Sequence, residues 1–178
     1  MAAVAMEARD VLEVLRIFAD AKIEVWIEGG WGIDALLGTQ TRDHGDLDLI
    51  IDAPRSDAAR RALEEHGFAL IYDDAPGRWS YRDERWREVD LAVAAADRYG
   101  DRWNLNRSVG RGEPDYPFDG FTSGWIGGER VQCLTPGTQV VHHEGYEPED
   151  VDVWDLEQLR ARFDVAVPEH LRADLHHA

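Results

Sequence analysis

Asp46-Leu47-Asp48 is a pattern whose residue types and spacing could do chemistry. On a strand, residues i and i+2 share a face, so the two carboxylates project side by side. Such hard oxygen ligands suit Mg²⁺, which takes one or two carboxylates plus substrate phosphate oxygens. Upstream, Gly29-Gly30 stands just before a predicted helix. The free N–H groups and positive dipole end of a helix start make an anion site, and the missing side chains let a phosphate approach closely. Further on, Asp90 follows Glu88 on another predicted strand. If that strand neighbours the first, about 4.8 Å away by ordinary strand spacing, three carboxylates converge. A triad of this kind can hold one or two Mg²⁺ ions, which neutralise a nucleoside triphosphate and activate an attacking hydroxyl. The third carboxylate could also act as general base, its pKa raised by neighbouring carboxylates and lowered by metal. Singly, each piece has a plainer explanation: a tight turn for the glycines, a solvated strand face for Asp-X-Asp. Their combination points to nucleotide chemistry.

The elements that must position these residues are legible in outline. Met6 to Ala21 spaces Val11, Leu12, Val14, Leu15 and Phe18 as one face of a helix. Ile23 to Ile27 is a predicted strand, and Trp31 to Leu37 a short helix closed by Gly38. Asp46 to Ile51 is a strand that turns Leu47, Leu49 and Ile51 to one face and Asp46, Asp48 and Ile50 to the other. Ser56 to His66 is a helix with Ser56 as its N-cap, followed by a strand over Phe68 to Tyr72. Arg78 to Arg82 and Arg87 to Val93 form a hairpin turning at Asp83-Glu84, with Glu88, Asp90 and Ala92 on one face. Long loops with a short hairpin are expected from Asp97 to Gly128, and helices over Thr135 to His143 and Asp152 to Phe163, with a further one near Leu171. This order is an α/β or α+β pattern.

The chain has 178 residues, with 36 acidic against 19 basic side chains and a net charge of −17. Seven Trp and a 44% hydrophobic fraction exclude a disordered acidic chain. The charge argues against nucleic acid or an anionic membrane as partner, because both need Lys and Arg to neutralise phosphate. Lys22 is the one lysine, and the deficit favours a cationic ligand. A single cysteine, Cys133, excludes an internal disulfide framework and zinc sites built from several thiolates. The N-terminal MAAVAMEARD has no basic stretch before an apolar run, and no apolar run approaches the ~20 residues of a membrane helix. A cytoplasmic protein is expected.

Trp26-Ile27-Glu28-Gly29-Gly30-Trp31-Gly32-Ile33-Asp34 and Thr41-Arg42-Asp43-His44-Gly45-Asp46-Leu47-Asp48-Leu49 resemble the small antibiotic nucleotidyltransferases, the lincosamide nucleotidyltransferases and aminoglycoside 2″-adenylyltransferases. The resemblance continues at Val89-Asp90-Leu91, Gln132-Cys133-Leu134 and His143-Glu144-Gly145-Tyr146, and length and spacing fit the short lincosamide type best. It implies a nucleotidyltransferase-like mixed sheet flanked by helices, with a catalytic core over 1–131 and a helical part over 132–178 packed on it. It implies transfer of a nucleoside monophosphate, AMP from ATP or another NMP, to a hydroxyl of a small cationic antibiotic, with Mg²⁺ and release of pyrophosphate. By position, Asp46 and Asp48 would be metal ligands, Asp90 a ligand or the general base, and Gly29 and Gly30 the lining of the triphosphate. Arg42 would meet phosphate, and His44 would either bond a phosphate or brace its loop. Glu88, Trp103 and His143 are acceptor-side candidates, and the resemblance also implies pairing as a homodimer. One departure is that lincosamide enzymes commonly carry His-Pro where this chain has Ala92-Val93.

Other features carry less. Adjacent histidines on a helix point about 100° apart, so His142-His143 is a poor ligand pair for one ion, and His176-His177 is expected to be solvated. The run from Glu144 to Glu157 has no basic residue and reads either as a solvated helix start or as a funnel for a cationic acceptor. Two rival functions remain open at this point: a toxin-like transferase acting on a protein or another metabolite, and a non-catalytic nucleotide-binding or antitoxin-like module.

Overall fold

The computed structural model describes residues 5–172 apart from 108, 109, 111 and 145. Its elements in chain order are α1 (Ala8–Asp20), β1 (Val25–Ile27), α2 (Gly29–Leu37), β2 (Asp46–Asp52), α3 (Ser56–Glu65), β3 (Ala69–Asp74), β4 (Arg78–Arg82) and β5 (Glu88–Ala96). They continue with β6 (Arg102–Asn104), β7 (Phe121–Ile126), β8 (Glu129–Leu134), α4 (Pro136–His142) and α5 (Asp150–Phe163). The strands form one mixed sheet in the order β3-β4-β5-β2-β1-β8-β7, with β6 paired to β5. Two pairings in it are parallel, β2 with β5 and β1 with β8. Among the described residues no helix is long and apolar enough to cross a membrane.

Strand alternation separates the sheet into a packed face and a functional one. Leu47, Leu49 and Ile51 of β2 are fully buried with Val89, Leu91 and Val93 of β5 and Tyr81 of β4, in a core that includes Val11, Val14 and Phe18 of α1 and Leu63 of α3. The intervening residues, Asp46 and Asp48 on β2 and Glu88, Asp90 and Ala92 on β5, lie on the other face. On that side a smaller cluster of Trp26, Ile50, Ala94, Tyr116 and Leu134 closes one end. A third cluster joins Ile33 of α2 to Val140, Leu156, Leu159 and Leu171, which fastens α4, α5 and the C-terminal turn onto α2. The boundary expected at 131/132 falls inside β8, whose residues run through to Leu134.

Three local expectations change. Gly29 and Gly30 form the first turn of α2 instead of preceding it. Ser56 is not an N-cap: a 3₁₀ turn over Ala53–Arg55 leads directly into α3, and the Ser56 hydroxyl donates back to the Ala53 carbonyl at 2.9 Å. The stretch near Leu171 is a 3₁₀ turn (Glu169–Leu171) rather than a helix, following Pro168, which has no N–H to donate.

Candidate active site

β2 and β5 run parallel with Asp46 opposite Glu88 and Asp48 opposite Asp90. The two strands are direct neighbours, and the four acidic side chains share the open face. The crowding has an electrostatic consequence. Burial first, then Asp46, Glu28 and Asp90, hold the Asp48 carboxyl well above the usual carboxylate range. Asp46 is pushed up by burial and by Asp90 and Glu88. Asp90 accepts a hydrogen bond on Oδ2 from the Arg78 guanidinium, while its Oδ1 is buried with no hydrogen-bond partner.

These observations bear on whether the residues suit a divalent cation. Among the described residues no three His, Cys, Asp or Glu side chains are already drawn together tightly enough to hold one. The donor set nonetheless fits Mg²⁺: all ligands are hard oxygens, their mutual repulsion is what a cation relieves, and the orphaned Asp90 oxygen is available. Arg78 occupies the remaining oxygen.

The glycine pair is required by closeness. Gly29 has φ +62°, the left-handed region, and a Cβ there would stand 2.6 Å from Asp48 Oδ2. A Cβ on Gly30 would run into the His44 ring and come within 2.6 Å of an Arg42 nitrogen. The first turn of α2, the Asp48 carboxylate and the loop before β2 thus meet with no room for a side chain between them.

That loop is braced by Asp34 of α2. Its carboxylate accepts from the Thr41 N–H at 3.0 Å and hydroxyl at 2.7 Å, and lies 2.5 Å from His44 Nε2. His44 and Asp34 are both buried, and the His44 ring packs on Trp31 at 4.7 Å between centroids. Of the two roles open to His44, bracing is the one with an observed bond. Arg42 is held by a residue the sequence reading passed over: Nε and Nη2 reach the two oxygens of Asp155 at 2.9 and 2.6 Å. Asp155 is only 1% exposed, so one member of the acidic run is an interior partner rather than solvated surface.

The open face carries a cleft in two lobes. The smaller, about 330 Å³, is lined by Gly29, Gly30, Arg42, His44 and Asp46 among others, and the larger, about 670 Å³, includes Asp90, Ala92 and Tyr116. Glu28, Asp48, Arg78 and His142 line both. Glu28 is therefore on the dividing wall, where burial pushes its carboxyl above the ordinary value. His142 Nδ1 is 3.3 Å from Glu28 Oε2, its Nε2 bonds the Asp115 carbonyl at 2.7 Å, and its ring stacks on Tyr116 at 4.7 Å. The Tyr116 hydroxyl donates to Glu28 at 3.4 Å.

The acceptor-side candidates scatter. Glu88 is paired with Arg82 at 2.5 Å and lines neither lobe. Trp103 is buried on β6, donates its Nε1–H to Asp97 at 3.2 Å and also lines neither lobe. His143 lines the smaller lobe beside the glycines rather than the larger one, with Nδ1 bonded to the Gln139 carbonyl at 2.7 Å. His176 and His177 lie outside the described residues, as does Gly145. Sequence reasoning missed Arg78 and Glu28. Arg78 shares the carboxylate face because β4 pairs with β5 so that Ser80 lies opposite Asp90 and Arg78 opposite Ala92, a register that the hairpin's sequence alone does not fix.

A family model described as aminoglycoside-2″-adenylyltransferase matches residues 10–159. A lincosamide resistance protein of Staphylococcus haemolyticus is 26% identical over 155 residues, covering 86% of this chain and 94% of the relative. A 2″-aminoglycoside nucleotidyltransferase of Escherichia coli is 37% identical over 65 residues, 35% of this chain and 37% of the relative. Among solved structures, a lincomycin-bound lincosamide antibiotic adenylyltransferase superposes with a TM-score of 0.77 at 24% identity, covering 89% of this chain and 99% of the other. The structure of ANT(2″)-Ia with adenylyl-2″-tobramycin gives 0.67 at 19% identity, covering 86% and 87%. At these identities the structural likeness shows a shared nucleotidyltransferase fold.

Proposed function

The chain belongs to the aminoglycoside-2″-adenylyltransferase family and is a nucleotidyltransferase; from that premise we propose that it moves AMP from ATP to a hydroxyl of a cationic antibiotic, releasing pyrophosphate. The observation that carries this reading is how the three carboxylates divide between the lobes. Asp46 lines only the smaller, Asp90 only the larger, and Asp48 both. The smaller lobe takes the triphosphate, with backbone N–H groups of the first turn of α2 as its partners and Arg42, held by Asp155, beside them as a positive charge. Asp46, Asp48 and Asp90 would hold one or two Mg²⁺ ions, which when bound neutralise the triphosphate and favour charge developing at the α-phosphate.

Asp90 faces the acceptor and takes the hydroxyl proton as general base. The acceptor oxygen bonds to the α-phosphorus, the bond to the β-phosphate oxygen breaks, and pyrophosphate carries away that electron pair. Acceptor charge is set by the larger lobe, where Glu28, Glu113, Asp115 and Glu144 outnumber Arg78 and Arg107, and Arg107 is already paired with Asp115. A cation is therefore favoured over an anion. A lincosamide is the first acceptor reading, because the lincosamide resistance relative matches along nearly its whole length. An aminoglycoside is the second, favoured by the family model's description.

The test is pyrophosphate release with ATP, Mg²⁺ and each antibiotic class. Asp46→Ala, Asp48→Ala and Asp90→Ala should each lower kcat by on the order of 10²–10⁴-fold, the scale of losing a catalytic proton acceptor or a metal's charge stabilisation, with the fold and its cooperative unfolding retained. Near-normal turnover in any one would remove that residue from the assignment. Labelling of protein with every antibiotic refused would favour the toxin-like acceptor instead.

A further inference from the structure

We propose that Arg78 is the cation that holds Asp90 in the nucleotide-free protein, competes there with the metal, and on displacement becomes a ligand of the nucleotide's phosphates. The proposal rests on the reading of Asp46, Asp48 and Asp90 as the metal-holding set. Its starting point is the unequal treatment of the two Asp90 oxygens: Oδ2 accepts from Arg78, and Oδ1 is buried without any partner. Asp90 is thus not tied into the fold by its carboxylate, and its single bond is to a side chain that can leave. The Asp90 side chain is 7% exposed, whereas that of Arg78 is 53% exposed and lines both lobes of the cleft.

Other guanidinium groups near the carboxylates are committed to residues outside the proposed metal-holding set. Arg42 is doubly bonded to the interior Asp155, Arg82 to Glu88, and Arg107 to Asp115. Arg78 differs because its partner is itself one of that set. A guanidinium spreads one charge over a planar fork, so a divalent ion carried in with a triphosphate displaces it from a lone carboxylate oxygen. The freed fork then matches two phosphate oxygens, the geometry for which arginine is suited. From its position on β4, opposite Ala92 and beside Asp48 and Asp90, it can serve the lobe boundary without a backbone change.

The experiment measures Mn²⁺ binding to the nucleotide-free protein by electron paramagnetic resonance, alongside kcat and KM for ATP. Arg78→Met should tighten Mn²⁺ about tenfold, the scale of removing one adjacent like charge, while raising KM for ATP or lowering kcat by at least about tenfold. Arg78→Lys keeps the charge: it should retain the weak Mn²⁺ binding and recover part of the turnover, and it also covers any folding defect in the methionine variant. A purely structural ion pair would leave Mn²⁺ affinity unchanged or weaker on Arg78→Met, and that result overturns the proposal. Asp90→Asn separates the two readings. If it weakens Mn²⁺ while Arg78→Met does nothing, only the role of Arg78 falls. If neither substitution matters, the assignment of Asp90 falls with it.

Discussion

Asp48 carries its charge where burial and three neighbouring carboxylates oppose it. With the folded-state pKa raised, the folded protein binds more protons than the unfolded chain, so metal-free stability declines as pH rises from the ordinary carboxylate value towards the raised one. Asp48→Asn should therefore raise the melting temperature at neutral pH without metal, by about 2–4 °C for each kcal/mol of repulsion relieved in a chain of this size, while abolishing transfer. Calorimetry of the two proteins with and without Mg²⁺ checks this. On the proposed role of Asp46 and Asp48 as metal ligands, the same shift sets an acid limit on activity: both must be ionised, so Mg²⁺-dependent turnover should fall on acidification at a pH above the ordinary carboxylate pKa of about 4. An acid limb at the ordinary value would contradict the crowding. Gly29 is the other residue-scale test. Gly29→Ala must place a Cβ at φ +62° within 2.6 Å of Asp48 Oδ2. It should cost about 1–2 kcal/mol of stability, and turnover should fall at least about tenfold as Asp48 is pushed aside.

At the scale of elements, α2, the loop before β2, and α5 are fastened to one another around the smaller lobe. The tie between the loop and α5 is the Arg42–Asp155 pair, whose members are 113 residues apart in sequence. Asp155→Asn should destabilise the chain by about 1–3 kcal/mol, the cost of leaving a hydrogen-bonded charge without its partner, and raise KM for ATP several-fold more than it lowers kcat. Urea denaturation with steady-state kinetics measures both. A change confined to kcat would mean that the pair does not position the nucleotide lobe. The same pair shows what sequence could reveal. Asp46, Asp48 and Asp90 were legible because strand alternation is a local rule, and the direct pairing of β2 with β5 brought them together as neighbouring strands would. Gly29-Gly30 was legible as a helix start, though not as its first turn. Asp155 was not, because its burial depends on α5 docking against α2, which no local pattern announces. Glu28 and Arg78 were passed over for a similar reason: each becomes part of the cleft through partners on other elements, His142 and Tyr116 for one and Asp90 for the other. Trp103 sits in a loop-rich stretch, yet β6 pairs to β5 and buries it.

For the molecule as a whole, the net charge of −17 and an acid-rich larger lobe would act together on the cationic acceptor proposed. Attraction of this kind acts on encounter and is screened over about 8–10 Å at physiological salt. Raising NaCl should accordingly lower kcat/KM for a cationic antibiotic several-fold while leaving kcat nearly constant. The sheet packs one face into the core and leaves the carboxylates on the other, which the two lobes divide between them. The most direct test is mass spectrometry of lincosamides and aminoglycosides incubated with the protein, ATP and Mg²⁺. An antibiotic should gain the mass of an adenylyl group with the wild type and gain nothing with Asp48→Asn or Asp90→Asn. An unchanged antibiotic mass across both classes with the wild type, or a gain that persists in either variant, would contradict it.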